Sequence, residues 1–147
     1  MAAEDAFVGR PKKISRYNLE PTASSLTSVR EFIRTTLKPF KPVEPIVHDI
    51  VSATHEATKN AVVHNPQTDA PIEVVCKVME DAVVIEVNDR GSGFNHEAQL
   101  PPELPDPESM EGRGMFMIYM LMDEVETRTG TSGTRVTMLK RFDSDPS

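Results

Sequence analysis

Apolar residues recur at three- and four-residue spacings from Ile46 to Val62, through Val47, Ile50, Val51, Ala57 and Ala61. This spacing predicts a helix from about Glu44 to Asn65 with one buried stripe. Pro45 suits its first turn, where the missing N–H would have had no partner. A second stripe, Leu26, Val29, Phe32, Ile33 and Leu37, predicts an earlier helix that starts at Ser24 or Ser25 and is closed by Pro39. Elsewhere the period changes to two. Ile14 to Glu20 reads as a short strand ended by Pro21. Ile72, Val74, Cys76 and Val78 alternate on one face, and after a turn at Glu80-Asp81 the run from Val83 to Asp89 completes an antiparallel hairpin. Met115 to Met122 is apolar on every side and predicts a helix covered by its neighbours. A last hairpin follows, Glu124 to Thr129 and Thr134 to Phe142, turning at Gly130 to Gly133, with Thr134, Val136 and Met138 on one side. The order strand, helix, helix, strand, strand, loop, helix, strand, strand predicts an α+β fold. It is a two-layer sandwich with a mixed, mostly antiparallel sheet and three main helices on one face.

Between the two halves of this pattern, residues 95–111 show no periodicity and carry prolines at 101, 102, 105 and 107. Regular structure is excluded there, and a long loop inside a compact domain is expected to act as a lid. Polar ends set the limits: a flexible leader over 1–13, one domain over 14–142, and a tail over 143–147. The 147 residues suffice for a real core without cross-links. A single cysteine, Cys76, excludes an internal disulfide framework and any cysteine-based zinc site. The formal net charge of −7 argues against nucleic acid as the main partner. No apolar run approaches the roughly 18 to 20 residues of a membrane span, and no signal-peptide core is present, so a cytoplasmic location is expected.

On the long helix, Glu56, Asn60 and His64 fall four apart along the edge of the buried stripe, with Asp49 on the same line two turns earlier. Such a row is either a solvated helix edge or the wall of a cleft, where a carboxylate takes a proton and an amide oxygen binds a hard cation. Asp89-x-Gly91-x-Gly93 follows a strand directly, placing a carboxylate beside residues that permit close backbone approach to a ligand. Gly112-Arg113-Gly114 opens the apolar helix, and backbone N–H groups at a helix start suit phosphate. No Gly-x4-Gly-Lys-Ser/Thr loop, no Gly-x-Gly-x-x-Gly after a strand, no paired-histidine zinc motif and no Gly-x-Ser-x-Gly elbow occurs.

In this order, and with a hairpin and a lid between them, Glu56-x3-Asn60, Asp89-x-Gly91-x-Gly93 and Gly112-x-Gly114 resemble the three nucleotide-binding boxes of the GHKL ATP-binding superfamily. Glu56-Ala-x-x-Asn60-Ala-Val-x-His64 and Gly112-Arg-Gly-Met-Phe-Met117 are similar to the bacterial anti-sigma-factor serine/threonine kinases. The resemblance implies a Bergerat-type fold holding Mg²⁺ and ATP under the 95–111 lid. It implies Glu56 as the catalytic base and Asn60 as the protein's ligand to Mg²⁺. Asp89 would receive the adenine amino group and Gly93 would let base and ribose pack closely. Arg113 with the Gly112 and Gly114 amides would hold phosphates, and Thr134 would reach the adenine. His64, Gly91 and Met115 belong to the same nucleotide-binding boxes. A serine or threonine on an anti-anti-sigma factor would be the acceptor, a sigma factor the sequestered partner, and a homodimer the assembly. A non-catalytic ATP-binding or sigma-binding regulator of the same fold is the alternative. Two departures stand out: His64-Asn65-Pro66 where His-Gly or His-Ala is more usual, and Lys59, expected to point to solvent.

Overall fold

In a computed structural model the described residues are 10–20, 22–63, 71–89, 113–130 and 133–142. Five strands and three α-helices follow the expected order. Strand β1 spans Lys13–Leu19, and a 3-10 turn at Ala23–Ser25 leads into helix α1, Leu26–Leu37. A second 3-10 turn, Lys38–Phe40, reverses the chain before helix α2, Glu44–Val63. Strands β2, Ile72–Val78, and β3, Ala82–Asp89, form the first hairpin. Helix α3 is Arg113–Leu121, and strands β4, Glu124–Gly130, and β5, Gly133–Arg141, form the second. Gly133 opens β5 at φ 134, in the region that side-chain-bearing residues avoid, which explains glycine at this corner.

The sheet order is β1-β2-β3-β5-β4. The expected mixed, mostly antiparallel sheet turns out antiparallel at all four pairings. Because side chains alternate across a strand, the register sorts the sheet into two faces. Val74, Cys76, Val78, Val83, Ile85, Val87 and Met138 face the helices and join Val29, Ile33, Leu37, Ile50, Val51, Ala57, Ala61 and Ile118 in one core. Tyr17 of β1 stacks on Phe32 of α1, ring centroids 5.3 Å apart, closing that edge. Cys76 is buried in this core, and burial pushes its thiol up to about 12, so it packs as an apolar residue.

On the opposite face of the sheet, Val84 and Leu139 are buried with Met79 and Ala82 as a second, smaller cluster. One feature departs from expectation: helix α3 is not covered on every side. Ile118 is fully buried, but Met120 is 70% exposed and Met117 also faces outward. A nine-residue helix lying on α2 buries one stripe and leaves the other in solvent, whatever its composition. The leader, the 95–111 lid and the tail lie outside the described residues, apart from positions 10–13.

Candidate functional site

Helix α2 supplies one wall. Its buried positions include Val47, Ile50, Val51, Ala57 and Ala61 of the sequence stripe, joined by Ala53, Thr54 and Thr58, while Ile46 and Val62 are only partly buried; Glu56 and Asn60 stand beside them, one turn apart. Residues four apart on a helix have Cβ atoms about 6 Å from each other. Asn60 is partly exposed, and its side chain makes no hydrogen bond among the described residues. Glu56 has only 13% of its side chain exposed, and its carboxylate lies 3.2 and 3.4 Å from Lys59 Nζ through its two oxygens. Lys59 therefore does not simply point to solvent. A carboxylate so nearly buried needs a counter-charge, and the ammonium three residues on can reach it along the helix surface.

Asp49, on the same line, serves elsewhere. Lys140 of β5 sits 3.2 Å from its carboxylate and donates a 2.6 Å hydrogen bond to the carbonyl of Leu121, the last residue of α3. One ammonium thus ties α2 and the C-terminal end of α3 to the sheet. A cation at a helix C-terminus meets both the orphan carbonyls and the negative end of the dipole.

The strand ends supply the second wall. Asp89, the last residue of β3, is the direct partner of Thr134 on β5, and both point to the helix face. Both are buried and border a cleft of about 810 Å³. The Thr134 hydroxyl is buried without a hydrogen-bond partner among the described residues. A buried hydroxyl left unpaired costs about 1 to 3 kcal/mol, and this one points to the helix face, away from the polar row that lines most of the cleft. The outer rim of the cleft carries Asn18, Glu73, Asn88, Arg135 and Arg128, one residue from each strand in a single row. Arg135 Nε donates to Asn88 Oδ1 at 2.9 Å, and Asn88 Nδ2 donates to Glu73 Oε1 at 3.2 Å. This row was not singled out from the sequence. Its signal was there in the polar positions of the alternating strands, but only register lines them up.

The cleft does not border Glu56 or Asn60. Segments 64–70 and 90–112, which lie between the two walls in the chain, are outside the described residues. His64, Gly91, Gly93 and Gly112 fall there, and Arg113 and Gly114 are described in backbone only, as the opening of α3. Met115 is partly buried against the core. Among the described residues no cluster of His, Cys, Asp and Glu could hold a metal by itself.

Helix α2 thus carries Glu56-x3-Asn60, strand β3 ends in Asp89 opposite Thr134, and helix α3 begins at Arg113. The model of the histidine kinase-like ATPase domain family matches residues 19–140. The chain belongs to that family. Within this ATPase-domain family it is 32% identical over 121 residues to an anti-sigma F factor of Clostridium acetobutylicum, covering 76% of this chain and 84% of that one. It is likewise 32% identical over 108 residues to the serine-protein kinase RsbW of Bacillus velezensis, covering 67% of each. Among solved structures, the one of the RsbU and RsbW domains of a Mycobacterium tuberculosis protein contains the same fold. Its TM-score is 0.68 at 24% identity, covering 90% of this chain and 33% of that longer one. The two-layer sandwich is thus the fold of the GHKL-like ATPase domains.

Proposed function

We propose that this chain is an ATP-dependent protein serine/threonine kinase and anti-sigma factor, which phosphorylates an anti-anti-sigma partner and sequesters a sigma factor. The observation that carries the reading is Asp89 set directly opposite Thr134, both buried at the strand ends, in a chain whose helix α2 carries a base and an amide, Glu56 and Asn60, one turn apart. A binding module needs the second; only an enzyme needs the base.

Asp89 accepts a hydrogen bond from the adenine amino group, and the Thr134 hydroxyl gains the partner it lacks. The Asn60 amide oxygen fits Mg²⁺, which takes one or two protein oxygens and otherwise phosphates and waters. When bound, the ion neutralises charge on the phosphates. His64, Gly91, Gly93, Gly112, Arg113, Gly114 and Met115 complete the nucleotide pocket, with Arg113 and the amides opening α3 on the β and γ phosphates. Glu56 takes the proton of the acceptor hydroxyl as that oxygen attacks the γ-phosphorus and ADP leaves. Phosphoryl transfer asks for positioning and charge more than covalent help, which suits so small a set of groups.

The product supports the regulatory half of the reading. A phosphoryl group adds nearly two negative charges, and an acidic kinase of net charge −7 repels them. The modified partner leaves, and the kinase is free to hold its sigma factor as a cytoplasmic homodimer. Among the described residues no helix is long and apolar enough to cross a membrane.

Calorimetric titration with ATP, with and without Mg²⁺, is the first test, followed by transfer of labelled phosphate to the anti-anti-sigma partner. Magnesium-dependent binding and transfer are expected, with Asn60→Ala losing the magnesium dependence. Binding without transfer would return the chain to a non-catalytic ATP-binding or sigma-binding regulator. No binding at millimolar ATP would sink the nucleotide site itself.

A further inference from the structure

Lys59 stands where the resemblance leads one to expect a small or hydroxyl residue, and its ammonium meets both oxygens of Glu56, at 3.2 and 3.4 Å. An ordinary surface pair three residues apart on a helix contributes little. This pair is unsymmetrical. Half of Lys59 is in solvent, 49% exposed, whereas Glu56 is 13% exposed. Among the described residues Glu56 has no other hydrogen-bond or ionic partner. The lysine therefore reaches inward over a carboxylate that would otherwise be nearly buried and alone, free to turn about its last torsion.

We propose that Lys59 is a positioning residue for phosphoryl transfer: it holds the Glu56 carboxylate in one orientation, with one edge on the ammonium and the other open to the acceptor hydroxyl. This rests on the kinase reading above. A carboxylate has about four lone-pair sites, so binding Lys59 does not prevent Glu56 from accepting a proton. In the step, the acceptor oxygen bonds to the γ-phosphorus, and the bond from that phosphorus to the β–γ bridging oxygen breaks. The electron pair leaves on ADP, and the hydroxyl proton goes to Glu56, from which it passes to solvent after release. Lys59 stays protonated throughout. Its contribution is orientation, where small misplacement of a reacting group is expensive in rate.

The test compares Lys59→Met, Lys59→Arg and Glu56→Gln, singly and as the Glu56→Gln/Lys59→Met double variant. Lys59→Met is expected to lower kcat about tenfold with KM for ATP within about twofold. Lys59→Arg should recover most of that loss, because a guanidinium also spans two carboxylate oxygens. A residue that acts through Glu56 must lose its effect when Glu56 is gone, so the double variant should be no slower than Glu56→Gln. Unchanged kcat in Lys59→Met would reduce Lys59 to a solvated helix residue. A raised KM for ATP at constant kcat would move it to the phosphates instead, and a further loss in the double variant would break the link to Glu56. One readout needs no activity: the carboxyl ¹³C resonance of Glu56, assigned by its disappearance in Glu56→Gln. It should move in Lys59→Met. If the unaltered chain transfers no phosphate, the kinase reading fails, and this resonance alone decides whether Lys59 orients Glu56; an unmoved signal overturns that too.

Discussion

The two walls of the site are built on opposite principles. On α2, Glu56 and Asn60 owe their juxtaposition to helical pitch alone, lie partly in solvent, and in the case of Glu56 already hold a partner in Lys59. At the strand ends, Asp89 and Thr134 are 45 residues apart in the chain, meet only through the β3–β5 register, and are buried. With Glu56 nearly buried and Asn60 partly exposed, the helix edge suits the proton and metal chemistry proposed for it. Asp89 and Thr134 are buried, which suits the base recognition proposed for them, because hydrogen bonds discriminate best where water cannot replace them. The difference bears on the proposed function, which divides the labour in the same way: chemistry on the helix edge, recognition at the strand ends.

Mutations should separate the two. The largest effect belongs to the helix wall: Glu56→Gln removes the base while keeping its shape, and transfer should fall by about 10² to 10⁴. Calorimetric ATP affinity should stay within about twofold; a parallel loss of binding would show that the two walls do not divide the work. Next comes Asp89→Asn. Replacing a charge-assisted hydrogen bond with a neutral one should weaken ATP binding by about ten- to a hundredfold, with kcat at saturation little changed. An effect confined to kcat would reverse the assignment of the walls.

A smaller effect tests how the helix wall is held. Lys140→Met leaves the Asp49 carboxylate and the Leu121 carbonyl without their shared donor. A loss of about 1 to 3 kcal/mol is expected, seen as a melting temperature lower by several degrees in a domain of this size. No shift would mean that the tie is only a surface contact. The subtlest is Thr134→Val, because the hydroxyl has no partner among the described residues. The free protein should melt at an unchanged or slightly higher temperature, while ATP affinity falls several-fold. Destabilisation of the free protein would instead place that hydroxyl in a structural bond.

Legibility in the sequence followed the same division. Both helical stripes, the alternation in β2 and the two hairpins could be read directly, since each rests on neighbours a few residues apart. Glu56 and Asn60 came with them. Lys59 did not, because helical spacing places a lysine near the carboxylate but its long, flexible side chain has several rotamers, and burial of Glu56 decides among them. Asp49 shared the line of Glu56 and Asn60, yet its carboxylate was claimed by a lysine 91 positions away. The exposed methionines of α3 were misjudged for a related reason: a helix apolar all round cannot say which side its neighbours leave open.

By itself the sequence determined the elements, their order and the residues able to do chemistry, because pitch, pleat and turn chemistry act over a few residues. Only the tertiary structure decided which of those residues share a wall, which carboxylates are already paired, and that the Thr134 hydroxyl is buried without a partner among the described residues. Those outcomes depend on strand register and burial, which couple positions far apart in the chain and have no local signature.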